Sequence, residues 1–523
     1  MKTNKLFKSV LSCMLVLAML FGCSAMFAGC KETVSSKDLT PDQHLQKVWG
    51  EQIANVVKGL ANVSDSMGDA SLPVPEQTGM SIRLHIDDAV LGGIASGLGF
   101  EGDMSILSDI RLDMFTDMTG EFDKLQFLLS LKGEQIITLN VLMNMAQYLI
   151  YAGSPELNDT YIKFDGSEMA GSAAMMDPST VTNLMKALPD GETLTSLLGR
   201  YTAILLAGIK NVEKGPVKLE AEGISQDATA LVLTVYEKDL VDLAKEILTT
   251  AKDDAQLKTV IENVAAALNE EGVETGDLAG SLQEAINEKL EELNEIEEFD
   301  TENPMLISTY VDADDNIIGF KFEMKDASQG AFYAYNVTSG DNVASIIAVE
   351  QETGAVLRFS GKGTMNGGKL SGEYKLHYND GEFLDADYLN ISVKDFSDEG
   401  GAINLKPTAE LLQAMGLNMN LSFFTFQMTF TSDSVGLSIV NDGKELGSLT
   451  ISIAEEKDLA FDVPDKTVDA FDSEAMQEWA SKLNLEGILN KLRGMGAGPL
   501  IDYIQGLMNQ GGGYAEPDYS TGF

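Results

Sequence analysis

The feature that most constrains this chain is a two-residue hydrophobic alternation that returns again and again along it. In MSIRLHID, Met80, Ile82, Leu84 and Ile86 share one side, and Ser81, Arg83, His85 and Asp87 share the other. Successive strand side chains point to opposite faces of a sheet, so the pattern specifies a strand with one apolar and one polar face. It recurs at Ile110, Leu112 and Met114, at Leu125, Phe127, Leu129 and Leu131, and at Ile137, Leu139, Val141 and Met143. YLIYAG and TYIKFDG add two more strands. One-sided strands of this kind belong to antiparallel sheets.

Between strand runs the period changes. Thr40-Pro41-Asp42-Gln43 reads as a helix start, with Thr as cap, Pro in the first helical position and Gln three residues after the cap. This helix is expected to run to about Val63, before a linker, LPVPEQTG, that ends at Gly79. Asp177-Pro178 begins a second helix, Pro189-Asp190-Gly191 breaks it, and TLTSLLGRYTAILLAGI forms a very apolar third one ending near Ile209. Strands VKLEAEG and ALVLTVY lead into a helical block from Asp239 to about Ile296, with apolar stripes such as Leu278, Leu282, Ile286, Leu290 and Leu293.

From Met305 to about Val393 the alternation resumes as a meander punctuated by the turn signals DADDN, SGD, ETG, NGG and NDG. A short helix, PTAELLQAMG, precedes three strands, SFFTFQMTF, VGLSIV and GSLTISI. Helices over Ser473 to Leu492 and Pro499 to Met508 close the folded part. Strand runs followed by helix runs specify an α+β fold rather than the βαβ alternation of a doubly wound sheet. The expectation is large, curved antiparallel meanders, in one sheet or two related halves, with helical insertions packed on them. Its expected parts are a leader at 1–29, a cysteine and tether at 30–40, a first domain at 41–300, a second at 301–508 and a disordered Gly-rich tail at 509–523.

The leader is read from its own grammar. Lys2, Lys5 and Lys8 form a basic start, apolar residues follow from Val10, and no acid occurs before Glu32. All three cysteines, Cys13, Cys23 and Cys30, lie in this stretch, so a disulfide scaffold, a thiolate metal site and a cysteine nucleophile are excluded from everything after it. Leu20-Phe21-Gly22-Cys23 and Phe27-Ala28-Gly29-Cys30 both resemble the bacterial lipobox, whose cysteine is diacylated and becomes the first residue of the mature lipoprotein. Cys30 is the preferred lipidation site because Ala28-Gly29 fits better and polar sequence begins at once with Lys31-Glu32. Cys23, with bulky Phe21 before its glycine, is the alternative. Two acyl chains anchor stably where one does not. The resemblance therefore implies a protein held on the extracytoplasmic face of the cell membrane.

Charge and motif searches narrow the function by exclusion. Eighty-one Asp and Glu against 36 Lys and Arg give a net charge of −45, which repels phosphate backbones and argues against a nucleic-acid partner. Asp312, Asp314, Asn316 and Glu323 match positions of a calcium loop, but Ile317 stands where its glycine is needed and a strand alternation follows, so a hairpin turn is the reading. His44, His85 and His377 are read as isolated surface residues. Met169, Met175, Met176 and Met185 suit an apolar pocket and an ordinary core equally. No nucleophile elbow, P-loop or dinucleotide fingerprint is present, so no catalytic residue, metal ligand or cofactor is assigned.

Taken whole, the chain resembles the uncharacterised lipoproteins of Gram-positive anaerobes. Residues 41 to 240 are similar in element order to the LolA/LppX-like carriers, through the first amphipathic helix, the successive long strands and the Asp177-Pro178 helix after YIKFDG. That resemblance implies a curved half-barrel cradling acyl chains, and hence a non-catalytic binding module for a hydrophobic ligand. It supplies no ligand-binding residue. The competing expectations are a structural or protein-interaction lipoprotein with a solid core and, with less support from the strand order, the receptor of a solute importer.

Overall fold

The computed structural model describes residues 38–68, 77–144, 147–166, 187–270, 276–326, 330–416, 423–455 and 457–510. The chain opens with α1 (Pro41–Gly68) and β1 (Gln77–Ile86), then α2 (Asp88–Gly97), β2 (Asp109–Asp117), β3 (Asp123–Leu131), β4 (Glu134–Asn144), β5 (Leu149–Gly153) and β6 (Tyr161–Asp165). Next come α3 (Gly191–Ala207), β7 (Val212–Ala221), β8 (Ile224–Val235) and the helices α4 (Glu237–Asp253), α5 (Ala255–Glu270) and α6 (Leu278–Asn294). The meander follows as β9 (Met305–Val311), β10 (Ile317–Met324), β11 (Ala331–Ser339), β12 (Asn342–Glu350), β13 (Val356–Asn366), β14 (Lys369–Asn379) and β15 (Asp385–Ser397). The chain continues through β16 (Gly400–Pro407), α7 (Ala409–Ala414), β17 (Phe424–Thr431), β18 (Ser434–Asn441) and β19 (Lys444–Ala454). It ends in β20 (Thr467–Asp469), α8 (Ser473–Ser481), α9 (Leu485–Leu492) and α10 (Gly498–Gln510). The fold is α+β and strand-dominated. Among the described residues β1 pairs antiparallel with β2 and β19, as do the strands of β2 to β6, β7 to β14 and β16 to β19 with their neighbours, and β20 makes a short parallel pairing with β6.

The strands gather into two compact units that are interleaved along the chain. The first draws, among the described residues, on 38–68, 187–395 and 407–416; the second on 77–166, 396–406 and 423–510. The expected division near residue 300 follows element order, but the units do not. The reason is one long-range pairing. β1 lies between β2 and β19, with Met80 opposite both Met114 and Ile453, so the earliest strands join the latest ones.

In the first unit β7 to β14 pair in sequence order, and α1 covers the apolar face of β7 to β10. Its start is the capping box read from the sequence: Thr40 N–H donates to the Gln43 side chain at 3.1 Å, and Gln43 N–H donates back to Thr40 Oγ at 3.3 Å. Leu45 and Val48 enter a core with Leu231, Leu233, Ile307, Val311 and Phe320, all buried. Beside them Trp49 Nε1 donates to fully buried Thr309 Oγ1 at 3.0 Å, which lets a polar strand residue sit inside an apolar layer without an orphaned group.

The second unit orders its strands β16, β17, β18, β19, β1, β2, β3, β4, β5, β6 and β20. The turn between β18 and β19 is the NDG signal, with Asp442 and Gly443 at φ +49° and +81°, the pair of left-handed residues that a tight hairpin needs. Helices gather at one end, where Ile106, Ala497 and Ile501 form a small core with Leu131, Leu489 and Leu492.

Besides β16 and β20, which were not expected as strands, three elements differ from expectation. α2 follows β1 directly, capped by the Asp87 carboxylate accepting from Ala89 N–H at 3.0 Å; its two consecutive glycines mask the helical signal. The single helix expected from Ser473 to Leu492 is two, broken where Asn484 starts a new cap on Gly487 N–H. α1 also runs on to Gly68. DADDN is the β9–β10 turn, in which the Asp312 carboxylate accepts from the N–H groups of Asp314 and Asn316 at 2.9 Å each. Cys23, Cys30, the Asp177-Pro178 helix start, the methionines at 169, 175, 176 and 185 and most of the expected tail lie outside the described residues.

Candidate apolar binding surfaces

In the second unit the usual relation between polarity and burial is reversed. Strand register aligns Phe430, Val435, Ile451, Ile82, Leu112, Leu129 and Ile137 in one row across seven strands. A neighbouring row carries Met428, Leu437, Leu449, Leu84, Ile110 and Leu131. No charged side chain interrupts either row. This is the face that the two-residue alternation marks as the inside of a sheet, yet Ile453 is 69% exposed, Val435 52% and Leu437 45%.

The opposite, polar face is the more enclosed one. On β4, Thr138 and Asn140 are buried while Leu139 between them is exposed. The buried polar groups are paired: Thr138 Oγ1 donates to Glu156 at 2.8 Å, and Asn140 Nδ2 donates to Tyr161 Oη at 3.0 Å. The segment after β19 crosses this side, with Lys457 donating to Gln126 at 2.7 Å and Lys124 to the Leu459 carbonyl at 3.1 Å. Glu156 feels two opposing effects. Burial pushes its carboxyl up, but the hydrogen bonds from Thr138 and Ser154 outweigh that and hold it below the usual range. A chain that satisfies its buried polar side this completely has left its apolar side open.

Such exposure is costly, at about 25 cal/mol for each Å² of apolar surface left in water. Contiguous apolar patches rimmed by polar sequence mark places where something else binds.

The first unit holds a second apolar feature, a trough of about 790 Å³ between α1 and α3. Ile53, Ala54, Val57, Ala203 and Leu206 line it together with Gly50 and Gly199. Its volume lies in the range of small-molecule sites. It falls between two helices, whereas the LolA/LppX-like resemblance places ligand between sheet and helices.

Two of the three histidines, His44 and His377, are not the isolated surface residues expected. His44 is 2% exposed, and its Nε2 lies 2.9 Å from Asp315 Oδ1, while Lys47 Nζ lies 2.9 Å from Asp315 Oδ2. Burial holds the His44 imidazole below the usual histidine value; the Asp315 hydrogen bond pulls the other way and loses, and the charges of Lys214 and Lys47 add to the lowering. His377 sits between two carboxylates, Nδ1 at 2.9 Å from Asp387 and Nε2 at 3.0 Å from Asp385. For Asp387, burial raises the carboxyl, but His377 and Lys375 together hold it below the usual range. The His44 contact joins elements 271 residues apart and the His377 contacts join the consecutive strands β14 and β15; neither histidine lines the trough. Sequence reasoning had no signal for them, because each partner comes from another strand or turn.

It also missed Asp254, the buried junction of α4 and α5. Its carboxylate accepts from Arg200 at 3.1 Å, Tyr201 at 3.1 Å and the N–H groups of Gln256 and Leu257 at 3.0 and 3.1 Å. Burial first, and then the negative partner, push the Tyr201 phenol up to about 12. The cluster ties α3 to the helical block and is fully satisfied, which suits a structural role.

Among the described residues no helix is long and apolar enough to cross a membrane. Compared with protein-family models, with curated proteins and with solved structures, the chain matches none.

Proposed function

We propose that this chain is a lipid-anchored, extracytoplasmic lipoprotein acting as a non-catalytic binding module for a hydrophobic ligand. The anchor rests on the leader and on Cys30, with Cys23 as the alternative. The binding role rests on one observation: the apolar face of the second unit is open along β18 and β19 and at Leu84 and Leu139, while polar residues of the opposite face such as Ser81, Asp113, Thr138 and Asn140 are buried. A sheet face of this composition is normally buried against another layer, and a bound lipid supplies that layer. The reading agrees with the LolA/LppX-like resemblance in element order and in ligand class. It needs no catalytic group, metal or cofactor.

The test introduces charge where the face is most open. Leu437→Asp with Ile451→Asp alters two side chains already in solvent, so the fold is retained. Each fully buried aliphatic contact is worth about 1.5–3 kcal/mol, so the double variant is expected to retain less than about a tenth of the lipid taken from phospholipid vesicles by the parent. Equal uptake by both proteins, with unchanged circular dichroism, would remove the sheet face as the site.

A further inference from the structure

The trough between α1 and α3 carries a pattern that the sheet face lacks: its polarity changes in a fixed order along its length. The two helices run antiparallel. At one end a Cβ on Gly50 would stand 3.2 Å from Leu206 Cδ1, and at the other Gly191 N–H donates to Asp65 Oδ1 at 2.6 Å. Gly50 to Asp65 spans roughly 22 Å at 1.5 Å per residue. The Gly50 end is mainly apolar, walled by Ile53, Ala54, Ala203 and Leu206 with the single hydroxyl of Thr202 among them. Lys58 stands midway, opposite Gly199. Beyond it lie Asn62, Thr195 and Ser196, and at the far end the carboxylates of Asp65 and Glu192.

Lys58 is the only cation on the lining of this strongly acidic chain's trough, and it forms no ion pair with a described carboxylate. Read from the Gly50 end, the order is therefore apolar, positive, hydroxyl-rich, negative.

We propose that this trough binds a single-chain zwitterionic phospholipid, with its acyl chain toward Gly50 and Leu206, its phosphate at Lys58 and its amine at Asp65 and Glu192. The match is one of charge order. A fatty acid satisfies the lysine and leaves the acids unmet; an alkylammonium meets the lysine with like charge before it reaches them. The ammonium of Lys58 and a phosphate form a charge-assisted pair, and Gly50, Ala54, Gly199 and Ala203 keep the side chains of the lining small. The site is in the first unit and does not depend on the sheet face of the second binding anything.

The test is titration calorimetry with lysophosphatidylethanolamine below its micellar concentration. It uses the full mature protein carrying Leu437→Asp and Ile451→Asp, so that the sheet face contributes nothing. Dodecanoate and dodecyltrimethylammonium are the single-charge controls. Lysophosphatidylethanolamine is expected to bind at least tenfold more tightly than either control. Gly199→Leu fills the trough, and because a Cβ there meets no atom within 4 Å the fold accommodates it; it is expected to weaken binding at least tenfold. Lys58→Glu is expected to weaken the phospholipid by a similar factor and to bring the alkylammonium level with it. Binding unaffected by Gly199→Leu, or an alkylammonium that binds the parent as tightly as the phospholipid, would overturn the proposal.

Discussion

A single buried histidine gives the chain a pH dependence that its composition does not announce. His44 is held neutral by burial under α1, with a folded pKa below the unfolded one. As pH falls below about 6.5 the unfolded chain takes up a proton that the folded chain refuses, so stability declines by at most about 1.4 kcal/mol per pH unit until the folded value is reached. Above that window the residue contributes no pH dependence. His44→Gln is expected to flatten the urea-unfolding midpoint between pH 6.5 and 5.5. A slope unchanged by His44→Gln would show that another group sets it. Asp254 is the other residue on which much depends. Asp254→Ala leaves Tyr201 and two N–H groups without their acceptor and leaves Arg200 with its bond to Gln256 but without its carboxylate. It is expected to cost about 2–4 kcal/mol in chemical denaturation, and a loss under 1 kcal/mol would contradict the role given to this junction. Neither residue was legible beforehand. A histidine on a helix and an aspartate in DDAQ carry no local sign of a partner in another element.

At the scale of elements most of the fold was legible, because it is written in periodicity. The two-residue alternation placed β1 to β4 and the second meander, and the capping box at Thr40 placed the start of α1. Failures fell where the pattern is short or interrupted: α2 with Gly92 and Gly93, the three-residue β20, and the break between α8 and α9 at Asn484. Alternation also said correctly which strand residues share a face. It was silent on whether that face is covered, since coverage comes from elements hundreds of residues away. The open apolar face is thus half legible: its composition from the sequence, its exposure from the structure alone. The trough was legible only as an apolar helix, TLTSLLGRYTAILLAGI, because its other wall is α1, more than a hundred residues earlier.

For the whole molecule the informative feature is the pairing of β1 with β19. It closes the second unit only after residue 444 has been made, so the early strands wait for the late ones, and the apolar face stays unpaired for most of synthesis. A chain built this way gains from an environment in which hydrophobic surface finds lipid rather than another copy. The anchor proposed at Cys30 would place it there. Mass spectrometry of the mature N-terminal peptide is expected to find a diacylglyceryl cysteine followed by Lys31-Glu32; a peptide that begins at Cys23 and continues Ser24-Ala25 would shift the site, and an unmodified start would remove the anchor.

Native mass spectrometry of the gently purified mature protein tests the central claim most directly. The predicted result is a population heavier than the bare chain by the mass of one or more lipids, released by mild activation and much reduced in the Leu437→Asp/Ile451→Asp variant. A bare chain mass after purification and after incubation with phospholipid vesicles would contradict the account, and would leave the open sheet face to a protein partner.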